Sequence, residues 1–194
     1  MKKLLLALCF MCLLSAAAFA KPKDDQEFIV KAGIQPQSSV GFGGESQDLN
    51  IGLSAGFEYF KYFGNIAAFG VGAVYDLPRK FKDDDIDGSI SFLPMYAGVK
   101  VRTPLEGLNN NYAFLSGRLG YGAFMYNDID AIKSSSGGLY YAVGLGVSIS
   151  YLVLEAVYSV SNYSYTVIQG PGMSNKSYDD EYSAISIYAG FKFE

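Results

Sequence analysis

Apolar and small or polar positions alternate along most of the chain beyond residue 20. Phe28, Val30, Ala32 and Ile34 are separated by Ile29, Lys31 and Gly33. The same period recurs at 51–59, 69–75, 93–101, 115–123, 139–149, 154–160 and 185–193. A period of two belongs to a strand whose faces meet different surroundings, so eight strands are predicted. The residues between the apolar positions are mostly Gly, Ser and Ala, as in Gly52, Ser54 and Gly56, Gly70 and Gly72, Gly120 and Gly122, or Gly144 and Gly146. A solvent-facing sheet would carry Lys, Glu and Thr there. Small residues suit the inside of a narrow closed barrel, where space runs out. The apolar set, with Leu53, Phe57, Val71, Leu145 and Phe191 as markers, then faces lipid.

Residues 139–160 hold a single charge, Glu155, and a hydropathy window reads them as a membrane helix. Their alternation, Gly144 and Gly146, and the frequent β-branched residues favour two strands joined by a tight turn at Ser150 and Tyr151. The connections also alternate. Long ones are expected at 36–49, 77–89, 126–138 and 164–181, and short ones at 61–64, 103–111 and 150–151. Short turns at one end and long loops at the other mark a barrel in an outer membrane, with the turns periplasmic and the loops external. An even strand count puts both termini on the periplasmic side. Aromatic girdles are expected from Tyr59, Tyr62, Phe63, Tyr112, Tyr151 and Phe193 at the turn end, and from Tyr75, Tyr121, Tyr126, Tyr141 and Tyr158 at the loop end.

The start of the chain has a different character. Lys2 and Lys3 precede the apolar run 4–14, and Ala18-Phe19-Ala20 forms an A-x-A cleavage site. Residues 1–20 are therefore expected to be a signal peptide and 21–194 the barrel domain. Both cysteines, Cys9 and Cys12, lie in the first segment, which leaves the mature chain without a disulfide or a thiolate site.

The 194 residues include no His and carry a net charge of −4. Imidazole chemistry is excluded, including Ser-His and Cys-His catalysis. The charge gives no reason to expect a nucleic-acid partner. No cofactor motif is present. The glycine pairs lack the third glycine of a dinucleotide fingerprint and open no helix.

Six charges fall within the strands: Lys31, Glu58, Lys100, Arg118, Glu155 and Lys192. All share the inward parity, since a charge on the lipid face costs roughly 2–4 kcal/mol near the midplane. They are expected to form an interior ion-pair network, with Glu58 and Glu155 each within reach of a base. A proton or ion path is the functional alternative. Eight-stranded barrels have interiors that side chains can fill, so a plug is preferred. Replacing Glu58 or Glu155 with Gln is then expected to lower thermal stability without opening a large pore. Outside the strands, Asp83, Asp85 and Asp87 with Gly88 match the first half of a calcium loop. Position twelve is Pro94 rather than a bidentate Glu, so an acidic, solvated loop is the simpler reading and a divalent-cation site the alternative.

The strand pattern, the repeats of the Gly120-Tyr121-Gly122 type and the ending Tyr188-Ala189-Gly190-Phe191-Lys192-Phe193 resemble the small eight-stranded outer-membrane β-barrel family of OmpX, the OmpA membrane domain and the opacity-type surface proteins. The resemblance spans the mature chain. It implies an all-β, antiparallel up-and-down transmembrane barrel. It also implies partners in outer-membrane lipid, lipopolysaccharide and the barrel-assembly machinery. The terminal strand resembles the signal read by that machinery, although Glu194 leaves the aromatic residue penultimate. A monomeric, non-enzymatic surface protein is expected, its long loops acting in adhesion, envelope integrity or contact with an extracellular ligand or host surface. The alternatives are a narrow conduit for small or apolar solutes, a lipid-A-modifying enzyme of the small-barrel type, which the lack of His opposes, and a soluble lipocalin-like barrel with its apolar residues inside.

Overall fold

The computed structural model describes residues 25–42, 45–82, 88–105, 111–127, 132–167 and 175–193. Segment 1–20, expected to be a signal peptide, and the acidic positions 83–87 lie outside these residues. Among the described residues there are nine strands: β1 (Gln26–Phe42), β2 (Glu45–Asp48), β3 (Gly52–Phe63), β4 (Ala67–Lys80), β5 (Ser89–Pro104), β6 (Tyr112–Asn127), β7 (Ile132–Ile149), β8 (Leu152–Val167) and β9 (Lys176–Phe193). Neighbours from β3 to β9 pair in chain order. β1 pairs with both β3 and β9, which closes an antiparallel ring of eight, and β2 is a short addition on β1. The seam between β1 and β9 runs from Phe28↔Phe193 to Val40↔Tyr182, with a bulge between Ile34 and Gln37. Closure leaves no strand edge inside a lipid layer, where an unpaired backbone group would have no partner.

The eight main strands stand where alternation places them. The predicted turn at Ser150 and Tyr151 joins β7 to β8. Ser150 adopts the left-handed conformation, φ 55°, and its N–H donates to Asn111 Oδ1 at 2.7 Å. This is the end with the short turns, the lower end below.

The strands run further at the upper end than the sequence suggests. β1, β4, β6, β7, β8 and β9 all enter the segments expected to be loops, and β2 has no counterpart in the prediction. The reason is solvent. On β9 the outward residues Ile185, Ile187, Ala189 and Phe191 are exposed apolar groups, and above them the outward set becomes Ser183, Glu181, Asp179 and Ser177. β7 and β8 change likewise, to Ser134 and Ser136 and to Asn162, Ser164 and Thr166. An apolar alternation tracks only the wall that meets lipid. On β9 that stretch, 185–193, is about 26 Å long at 3.3 Å per residue, or about 20 Å high at the usual barrel tilt. Leu53, Val71, Leu145 and Phe191 are more than half exposed and Phe57 is partly so. Val160 is outward by its register opposite Tyr141, yet it is 3% exposed, at the level where β7 bulges between Gly137 and Tyr140.

The lumen is more aromatic than expected. Phe60, Phe92, Tyr96, Phe114, Phe124, Tyr140, Tyr182 and Tyr188 are buried inside it. Three tyrosines assigned to the girdles also point inward: Tyr62 and Tyr112 are 5% exposed, and Tyr126 packs on the inner cluster. The glycines of the inner face make room for these rings. Gly70 sits opposite Phe60, Gly146 opposite Phe114 and Gly72 opposite Tyr96. A Cβ on Gly72 would stand 2.8 Å from the Tyr96 ring and 2.9 Å from Glu58 Cγ. Gly72→Leu is therefore expected to lower stability by about 1–3 kcal/mol through overpacking. Urea titration of the folded barrel, followed by its heat-shifted gel mobility, measures this; an unchanged midpoint would show that the lumen can yield.

Candidate functional site

The lumen holds its charges in three tiers. The middle tier is built from four strands. Lys31 on β1 lies 2.9 Å from Glu58 Oε1 on β3 and 3.2 Å from Glu155 Oε2 on β8. Arg118 on β6 reaches the same two carboxylates from the far wall, at 2.8 Å and 2.5 Å. The Tyr96 hydroxyl donates to Glu58 at 2.7 Å, and the Ser116 hydroxyl donates to Glu155 at 2.8 Å. All four charged side chains are at most 2% exposed. Two acids and two bases compensate one another, as burial without water demands. Alternation explains how they meet, because each occupies the inward parity of its own strand and the ring brings the strands face to face.

The lower tier centres on Glu27. Its carboxylate accepts from Tyr62 at 2.7 Å, Tyr112 at 2.5 Å and Lys100 at 3.2 Å. The Lys100 ammonium also lies 4.1 Å above the Phe60 ring. Lys192 faces the Tyr112 ring at 4.9 Å. Arg102 caps this end, 3.7 Å over the Tyr62 ring. In the upper tier Arg79 pairs with Asp76 at 3.8 Å and donates to Ser38 at 2.9 Å and to the Tyr182 hydroxyl. Tyr182 in turn donates to Asp76 Oδ2 at 3.3 Å. Above this a stack of rings continues. Phe124 and Tyr163 lie parallel at 4.1 Å, and Tyr165 and then Tyr178 follow at 6.0 and 5.4 Å.

Of the six charges read from the sequence, Lys31, Glu58, Arg118 and Glu155 converge on one cluster. Lys100 turns to Glu27 instead, and Lys192 lies against an aromatic face. Glu27, Asp76 and Arg79 were missed. Extending the inward parity from Lys31 back to 27, and from Gly72 forward to 76, would have found both acids. Arg79 was hidden, because the bulge between Asp76 and Arg79 reverses the parity there. Among the described residues no group of three or more His, Cys, Asp or Glu is placed to hold a metal.

A closed antiparallel ring with an apolar outer band and a charged interior is a membrane barrel's arrangement. The family model for the outer membrane protein beta-barrel domain matches residues 6–193. The chain belongs to this family. As a member of the outer-membrane β-barrel family it resembles three solved structures of like size. Neisserial surface protein A aligns with a TM-score of 0.53 at 16% identity, over 84% of this chain and 96% of the other. OprG from Pseudomonas aeruginosa gives 0.53 at 15%, over 90% and 99%. Ail, the attachment invasion locus protein of Yersinia pestis, gives 0.53 at 19%, over 87% and 99%. No curated protein matches the chain. The outer membrane is therefore its location, with lipid against the apolar band.

Proposed function

We propose that this outer-membrane barrel is a closed anchor, and that its upper wall and long connections form a surface for contact with an extracellular ligand, a host surface or the envelope's own lipopolysaccharide. The observation that carries this is the cluster of Lys31, Glu58, Arg118 and Glu155, which spans the lumen with all four charges desolvated. A conducting lumen would keep such charges wet. The tiers of Glu27 below and Asp76 above repeat the arrangement. The likeness to an attachment invasion locus protein supports the surface role. No His is available for lipid-A chemistry, and we assign no enzymatic activity.

The same proposal sets the orientation. The short turns and both termini are periplasmic and the long connections external. Residues 1–20 are a signal peptide removed at export. The barrel is inserted by the barrel-assembly machinery as a monomer, and the four-charge cluster of Lys31, Glu58, Arg118 and Glu155, with the tiers at Glu27 and Asp76, is its structural plug. In planar bilayers the full chain is expected to show no steady single-channel conductance. Steady conductance would replace this reading by the narrow conduit. In a whole-cell binding screen the intact protein is expected to hold a contact that a version with four shortened loops loses; equal binding by both would refute the surface role.

A further inference from the structure

Oxidisable side chains are few beyond residue 20. The sequence there holds no Cys, Trp or His. A one-electron oxidant is left with tyrosine, since methionine is oxidised by gaining an oxygen atom. The upper end of the lumen gathers the phenols. Tyr163, Tyr165 and Tyr178 form a near-parallel stack that continues from Phe124, and Tyr126 meets Tyr165 at 5.8 Å, tilted by 55°.

One pair in this stack has the geometry for coupling. Tyr165 on β8 and Tyr178 on β9 are register partners. Side chains directly opposite one another in a sheet stand about 5 Å apart at Cβ. These two rings lie 5.4 Å apart and within 16° of parallel. Tyr178 is partly exposed and Tyr165 is buried. The Tyr165 hydroxyl donates to Asp180 Oδ2 at 3.1 Å, so a carboxylate is in place to take the phenol proton as the electron leaves. The other neighbours fit less well. Tyr163 is two residues from Tyr165 on the same strand, roughly 6.7 Å along it. It is packed on Phe124 at 4.1 Å, and its hydroxyl donates to the Gly41 carbonyl. Tyr126 belongs to β6, with β7 between it and β8.

We propose that Tyr165 and Tyr178 are a modification site, joined by a carbon–carbon bond when the upper end of the barrel meets a haem peroxidase and hydrogen peroxide. Each phenol gives up one electron and one proton. Tyr178 loses its electron to the oxidant directly. Tyr165 loses its electron through the stacked ring, and its proton passes to Asp180 and on to water. The two phenoxyl radicals couple through the ring carbons beside their oxygen-bearing carbons. The hydrogen on each coupled carbon then moves to the phenoxyl oxygen, which restores both hydroxyls. The peroxide takes up the two electrons and two protons and leaves as water. The new bond closes the connection 166–177 into a covalent loop, and does for a chain without disulfides what a disulfide does elsewhere. The proposal rests on the surface reading above, since it needs this end outside the cell.

The test treats two samples with a haem peroxidase and hydrogen peroxide: the full chain in lipid nanodiscs, and intact cells carrying it, whose outer membrane the enzyme cannot cross. Dityrosine fluorescence is expected within the monomer band of a denaturing gel, with a cross-linked peptide pair holding Tyr165 and Tyr178. Tyr165→Phe and Tyr178→Phe keep the rings, and each is expected to lose the fluorescence while the barrel keeps its heat-shifted mobility. Asp180→Asn keeps an acceptor but removes the base, and is expected to slow the coupling without moving it; an unchanged rate would overturn the part given to Asp180. A link mapped to another pair, fluorescence that survives either Phe substitution, or coupling only between chains overturns the proposal. Coupling in nanodiscs but not on cells supports the pair and overturns the external orientation. Coupling in neither sample overturns the pair, while the whole-cell contact still decides the surface role.

Discussion

Arg118→Met is expected to cost about 3–5 kcal/mol of stability, the range for removing one partner from a buried charge cluster. Arg118 touches both Glu58 and Glu155. Without it two desolvated carboxylates share the single ammonium of Lys31. Glu58→Gln and Glu155→Gln keep the packing and remove one charge each, so each is expected to cost less. Arg118→Met combined with Glu58→Gln leaves one acid facing one base. It is expected to be less destabilised than the two single changes added together, because the sites share partners. Equilibrium unfolding in urea, with the four variants side by side, measures the differences. A neutral Arg118→Met would mean that water or rearrangement already screens the cluster.

The second large effect concerns the outer wall. Leu145 is 66% exposed and lies near the middle of the apolar stretch of β7. Leu145→Arg is expected to cost about 2–4 kcal/mol, and Ser136→Arg, on the same face of the same strand but above the band, about 0–1 kcal/mol. Folding into lipid vesicles across a urea series distinguishes them. Equal penalties would place the membrane boundary elsewhere.

The sequence was readable wherever each strand's two faces met different surroundings. That condition holds across the lipid band, so Leu53, Val71 and Leu145 could be set outward and Lys31, Glu58, Arg118 and Glu155 inward from parity alone. Above the band it fails. Tyr163 and Tyr165 alternate with Asn162, Ser164 and Thr166, a strand pattern written in aromatic and hydroxyl residues rather than in aliphatic and small ones, and 164–181 was therefore expected to be a loop. Tyrosine was ambiguous for a related reason. Its ring suits a headgroup girdle, and its hydroxyl suits a buried carboxylate equally well. Tyr62 and Tyr112 take the second role at Glu27. Glu27 stands just before the first apolar residue of its strand, and without its tyrosine partners it reads as part of a leading tail. Local irregularities stay out of reach of periodicity, and the bulge that turns Arg79 inward is the plainest case.

The middle charge cluster also bears on the order of assembly. Its contacts join β1 to β3 and β8 across 27 and 124 residues, and β6 to β3 and β8 across 60 and 37. Chain closure over such separations is entropically slow to arrive at. The Lys31–Glu155 contact spans the seam where the first and last strands meet. Until β1 reaches β9, Glu155 lacks one of its two cations and Lys31 one of its two anions. A partly formed ring thus leaves these groups short of partners in a place that must shed water, and the deficit ends when the ring shuts. Completion of the circle is thereby rewarded in a single late step, which biases the chain against halting as an open, curled sheet whose edges could join those of its neighbours.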